Sequence, residues 1–348
     1  MKTTRNPFFK KSTEPILIKK LCSLFALITV TALLTTSCNP EDDNQNETPN
    51  IASPTAQEFD NIRAIALENH TQMFTFNTED TYISLTSANG VQININANCL
   101  TANGNPVTGD ITLEYIELFE KGSMLTTNKP TMGVLPGGGK ALLISGGEFF
   151  IEATQNGTVL DTTCSFQLII PSSLTGSSDP DMTLWNGEID ADGNLAWEEA
   201  DNENGEEEEE EGEVFLEGEN YYTNIEGFGW TNVDRFYSDP RPKTTLQVQA
   251  PEGYDNQNSA IYLSYDGEAP ALAYLDTFDE DLNIFSEHYG QIPIGLACHV
   301  IFITESDDIW RYAIKPVTIV ANDIITFNLG ETLVGTEASL TALMNDLP

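Results

Sequence analysis

Short runs in which apolar and polar residues alternate fill most of the chain beyond residue 72. A period of two is the spacing of a strand with one buried face. Such runs lie at 82–86, 91–95, 111–118, 141–145, 148–153 and 166–170, separated by Asn89-Gly90, Asn103-Gly104, Gly146-Gly147 and Asn156-Gly157. These dipeptides favour tight turns, so the spacing predicts antiparallel pairing. Strands resume at 245–249, 260–265, 272–275, 299–304, 310–315 and 324–329. Helical spacing is confined to 56–70, with Phe59, Ile62, Ile65 and Leu67 as its apolar positions, and to 337–346. The expected fold is mainly β: two antiparallel β-sandwich domains with short helices near the N-terminus and at the C-terminus. A hydrophobic content of 40% is enough to fill such cores.

The N-terminal segment reads as an address. Lys2, Arg5, Lys10, Lys11, Lys19 and Lys20 precede the uncharged run 21–34, LCSLFALITVTALL. That run is too short to span a bilayer, which takes about 20 residues. It has the length and flanks of a signal-peptide core. The sequence then continues Thr35-Thr36-Ser37-Cys38. A small residue before cysteine at this point resembles the lipobox of bacterial lipoproteins, with Thr35 where that family favours Leu. The resemblance implies cleavage before Cys38 and a covalent lipid on it. Several acyl chains would hold the protein at a membrane where one binds only marginally. The acidic cluster Glu41-Asp42-Asp43 resembles the surface-export signal of Bacteroidota-type lipoproteins, which implies display on the outer membrane.

The expected organisation is a signal peptide at 1–37, an acidic tether at 38–55, a helix plus sandwich at 56–175, an acidic hairpin, disordered insertion and aromatic join at 176–240, and a second sandwich with a terminal helix at 241–348. The stretch VQININANCLTANGNPVTGDITLEYIEL, followed by SGGEFFIEA, resembles the ZU5-like β-sandwich of bacterial surface lipoproteins over roughly 72–172. The stretch 244–329 resembles a transthyretin-like, carboxypeptidase-regulatory-like sandwich. These resemblances imply fold and bring little function with them. Between the sandwiches, residues 178–220 carry 18 acidic residues and no Lys or Arg. Like charges at that density extend a chain, so 200–219 is expected to be a disordered insertion.

Charge narrows the partners. The chain has 54 Asp plus Glu against 15 Lys plus Arg, a formal charge of -39. Without residues 1–37 it has 9 basic and 53 acidic residues and a charge of -44. Nucleic-acid binding is not expected, because phosphates attract basic patches. Catalytic signatures are absent from the sequence. There is no His-Glu-x-x-His helix and no Gly-x-Ser-x-Gly elbow, and Gly137-Gly138-Gly139-Lys140 departs from the phosphate-loop pattern at Val134 and Ala141. His299, within an apolar run, reads as structural. No cofactor is expected beyond the lipid on Cys38. Asp190, Asp192 and Asn194 flank an Asp-Gly turn, and the same oxygens are where calcium would bind if the protein takes it. Cys99, Cys164 and Cys298 remain after Cys38; Cys99 and Cys164 either form a disulfide or stay as buried thiols. Trp230 and Tyr237, at the aromatic join 228–237, are the first choices for a ligand-stacking platform.

The expected function is therefore that of a cell-envelope lipoprotein on the outer membrane, a non-enzymatic binding or structural module. Its expected partners are the lipid bilayer, through the anchor, and a glycan or envelope protein. The alternatives are a glycan-directed hydrolase with a carboxylate pair, or an accessory subunit of an envelope complex.

Overall fold

The computed structural model describes residues 51–189, 194–200 and 214–348. Cys38, Asp190, Asp192 and the acidic block at 206–211 lie outside the described residues. The fold is mostly β, with two sandwich-like halves and short helices.

In the first half, one sheet runs in the order Gln72–Asn77, Asp110–Leu118, Lys140–Gln155, Gly229–Phe236, Thr183–Ile189, Leu195–Glu199 and Met132–Val134. A second sheet contains Val214–Glu217, Asn220–Ile225, Phe166–Pro171, Gln92–Asn96 and Tyr82–Thr86. Ile93, Leu168 and Ile170 of the second join Leu113, Tyr115, Phe149 and Ile151 of the first in one buried core. In the second half, Thr277–Asp279, Ile284–Pro293, Lys243–Gln249 and Ile324–Thr326 form one sheet. The other holds Ala273–Tyr274, Ser259–Tyr265, Ala297–Ser306, Ile309–Thr318 and Leu333–Gly335. The Phe302 ring packs edge-on against Tyr254 at 5.4 Å and lies 5.9 Å from Phe327.

Three helices sit among these sheets in the described residues: α1 (Ala56–Asn69), α2 (Lys121–Thr126) and α3 (Glu337–Asn345). A reciprocal cap starts α1: Thr55 Oγ1 accepts the Glu58 N–H, and the Glu58 carboxylate accepts the Thr55 N–H. Its buried face is Phe59, Ile62 and Ala66, whereas Ile65 is 56% exposed. Although α1 precedes the first sandwich in the chain, it packs on the second. Phe59 meets Trp310 edge-on at 6.4 Å, and the Arg63 guanidinium donates to the Tyr262 hydroxyl at 3.2 Å. Helix α2 gave no periodic signal because all six of its residues are buried. It crosses α3 so closely that a Cβ on Gly122 would lie 2.5 Å from the Thr341 carbonyl oxygen.

Val214–Glu217, inside the stretch 200–219 expected to be a disordered insertion, is a strand paired with Asn220–Ile225, and two further segments differ from the sequence expectation. Gly146-Gly147 is not a turn between strands. It lies inside the single strand Lys140–Gln155, opposite a register shift between Asn232 and Asp234. A Cβ at Gly146 would sit 2.7 Å from the Val233 carbonyl oxygen, and one at Gly147 would sit 2.6 Å from the Phe119 ring. The glycines therefore permit close packing at a bulge. Likewise, the aromatic stretch 228–237 supplies a central strand, Gly229–Phe236, hydrogen-bonded on both sides. Its aromatics fill the space beside that strand.

Cys99 and Cys164 form a disulfide, and Cys298 is a buried free thiol, pushed up to about 12 by burial and then by Asp266. The bridge closes a sequence separation of 65 residues. Closing such a loop stabilises the fold by about 4 kcal/mol through the entropy of the unfolded chain. Cys164→Ser should therefore lower the denaturation midpoint substantially. Alkylation of unfolded, unreduced protein should label Cys298 and spare Cys99 and Cys164.

Candidate functional site

The long sheet of the first sandwich closes on itself. Lys140–Gln155 pairs with Gly229–Phe236, which pairs with Thr183–Ile189, then Leu195–Glu199, then Met132–Val134, which pairs back with Lys140–Gln155. This is a small five-stranded barrel, and barrels of this size are filled by side chains. Leu143, Trp185, Leu195 and Trp197 form its apolar cluster, with Trp230 and Phe236 packed against them. The Trp185 indole N–H donates to the Asp234 carbonyl at 2.9 Å, and that of Trp197 donates to the Pro130 carbonyl at 3.0 Å. Gly187 leaves the room these rings need. A Cβ there would lie 2.6 Å from Trp230 Cβ and 2.9 Å from the Trp197 ring.

Beside the rings lies a buried polar group. Glu148 stands opposite Asn232 in register, and Ser145 opposite Asp234. All four are 0% exposed. The Asn232 amide donates to Asp234 Oδ2 at 2.6 Å, and its carbonyl oxygen accepts from the Ser145 hydroxyl at 3.2 Å. Gly147 N–H donates to Ser145 Oγ at 3.0 Å. Both carboxylate oxygens of Glu148 and Oδ1 of Asp234 lack hydrogen-bond partners. Burial, then the neighbouring Asp234, pushes the Glu148 carboxyl well above the usual carboxylate range, against the pull of Lys129. Burial raises Asp234 likewise, opposed by the hydrogen bond its carboxylate accepts from Asn232.

Lys129 reaches this group from the segment before Met132. Its ammonium lies 5.1 Å from the centroid of the Trp230 ring. Burial lowers it to about 8, against the pull of Glu148. Next to it, Asn128 Oδ1 accepts from the Tyr262 hydroxyl, so the polar group continues across to the second sandwich and to Arg63 of α1.

A second polar group lies where the halves meet. Lys140 pairs with Asp276 at 2.7 Å, and the Tyr289 hydroxyl donates to the same carboxylate at 2.7 Å. Close by, Glu287 is 3% exposed and pushed up to about 7 by burial, opposed by backbone N–H groups of Gln291 and Gly290.

Of the residues singled out in the sequence, Trp230 is half-buried, with Phe150 at 5.3 Å and Trp197 at 6.4 Å. Tyr237 is half-buried, packs edge-on against Tyr265 at 5.1 Å and donates to Asp239 at 3.1 Å. They occupy separate surroundings and form no common platform. Trp185, Trp197 and Trp310 are at most 1% exposed. Asn194 is described, but its partners Asp190 and Asp192 are not, so the proposed calcium loop falls outside the described residues. Among the described residues, no cluster of three His, Cys, Asp or Glu side chains is placed to hold a metal. His299 Nδ1 lies 2.8 Å from Asp266, and Ser264 opposite it is fully buried. Sequence reasoning missed Lys129, Glu148, Asn232 and Asp234. The available signal was an acid directly after Gly-Gly in an otherwise apolar strand, and Asn and Asp alternating within an aromatic one. A scan against protein-family models finds no match to this chain, and a search of curated proteins finds no similar one.

Two outcomes follow. Gly187→Ala should lower stability by about 1–3 kcal/mol through overpacking of the tryptophans, read as a fall in the denaturation midpoint. Glu287 has a folded pKa raised above its unfolded value of 4.5, so the folded state holds more protons and stability falls as pH rises from 4.5 through about 7. Glu287→Gln keeps an acceptor for the backbone N–H groups and should flatten that decline, with the variant's advantage over wild type growing towards pH 8 by up to about 3 kcal/mol.

Proposed function

We propose that this protein is a lipid-anchored module of the bacterial cell envelope that presents two joined β-sandwiches as a non-enzymatic structural or binding unit. The observation that carries this is the burial of its unusual chemistry. The perturbed carboxyls Glu148 and Asp234 have no exposure to solvent, and three of four tryptophans are in the core. A catalytic acid pair or a sugar-stacking platform must be reached by its substrate. Groups enclosed in this way are closed to an external substrate.

The N-terminal sequence supports the address: a basic segment, an uncharged 21–34 run, and Cys38 after a small residue. Among the described residues no helix is long and apolar enough to cross a membrane. The acidic tether favours the outer surface, and the ZU5-like pattern resembles that of bacterial surface lipoproteins. The partner would be a glycan or an envelope protein. Calcium at Asp190, Asp192 and Asn194 remains part of this reading.

Cells grown with radiolabelled palmitate test the anchor. The wild-type band should carry label and partition with the outer membrane, and Cys38→Ala should lose both. Unlabelled wild-type protein in the soluble fraction overturns the reading.

A further inference from the structure

We infer that the first sandwich carries an intramolecular amide cross-link site, in which the Lys129 side-chain amine condenses with the side-chain amide of Asn232 beside Glu148. The inference rests on the barrel interior and is independent of the membrane address.

Four features converge there. Lys129 is 8% exposed, and among the described residues no carboxylate lies within ion-pairing distance of its amine. Its Nζ hydrogen bond is a 3.4 Å contact to the Thr127 carbonyl. The amine lies 5.1 Å from the centroid of the Trp230 ring, and Trp230 precedes Asn232 by two residues on one strand, as its partner Phe150 follows Glu148 by two on the next, so these side chains share one face of the sheet. Bond formation requires the Lys129 side chain to change rotamer towards Asn232. Glu148 stands opposite Asn232 with both oxygens unpartnered and its side chain fully buried, which is costly unless it has a proton-handling partner. Asn232 is held for attack: the Ser145 hydroxyl donates to its carbonyl oxygen, and Asp234 accepts from its nitrogen. The Phe150 and Trp197 rings pack against Trp230 at 5.3 and 6.4 Å.

The step balances without an oxidant or another reactant. The uncharged Lys129 amine attacks Cγ of Asn232, and Ser145 steadies the negative charge on the carbonyl oxygen. Glu148 relays a proton from the attacking nitrogen to Nδ2 and ends in its starting state. A new Cγ–Nζ bond forms, the Cγ–Nδ2 bond breaks, and one ammonia leaves. Burial favours both the free amine and the protonated acid, the forms that this step uses. The product ties the segment between the sandwiches to a central strand, a covalent staple across a buried seam.

Digestion of the reduced and alkylated protein with trypsin and a glutamyl endopeptidase, followed by mass spectrometry, tests this. The expected result is a linked pair of peptides containing Lys129 and Asn232, lighter than their sum by one ammonia, and depletion of the free peptides. Asn232→Ala and Glu148→Gln should each abolish the link. Because the wild-type protein gives the primary result, a variant that fails to fold leaves the test intact. Unlinked wild-type peptides at full mass overturn the inference. A link with loss of water moves the acceptor to Asp234 and overturns the assignment to Asn232.

Discussion

The segment 127–131 is the constraint on which the rest of the structure depends. It lies between the two halves and is hydrogen-bonded to both. Thr131 N–H donates to the Leu272 carbonyl at 2.9 Å, and Leu272 N–H donates back to Thr131 Oγ1 at 2.9 Å. Nearby, Ser145 N–H donates to the Pro270 carbonyl at 3.1 Å. These exchanges satisfy backbone groups that would otherwise be stranded where two sheets meet, at a cost of about 1–3 kcal/mol each. Asn128 and Lys129 on the same segment then bring polar side chains inward.

Closure of the barrel follows from the same place. The strand Met132–Val134 begins where the segment ends and completes the ring between Leu195–Glu199 and Lys140–Gln155. Gly133 permits it, since a Cβ there would lie 2.7 Å from the Leu143 side chain. The bulge at Gly146-Gly147 relieves the register so that Glu148 faces Asn232 while Ser145 faces Asp234. Both sandwiches contribute to one continuous apolar core, and α1, which precedes the first sandwich in the chain, packs on the second. The two halves therefore behave as one body.

Much of this was legible in the sequence, and the reasons for the rest are physical. Alternation at 82–86 and 166–170 identified strands because each buries one face. The helix at 56–69 was readable for the same reason. The strand Lys140–Gln155 was divided in two because Gly-Gly is ambiguous between a turn and a close approach; only the neighbouring Val233 and Phe119 decide. Helix α2 was invisible because it is enclosed on all sides and has no solvent-exposed face. The polar group was hidden for another reason: Lys129 and Asn232 are distant in sequence, and an acid among 53 others carries no signal until its burial is known.

Native-state hydrogen exchange tests the locked seam most directly. Amides of Thr131, Ser145 and Leu272 should exchange only through global unfolding, at the same free energy as core amides of Ser259–Tyr265 and Lys140–Gln155. Exchange of those three amides through a lower-energy opening, with both sandwich cores still protected, would show two halves that part independently and would contradict the account.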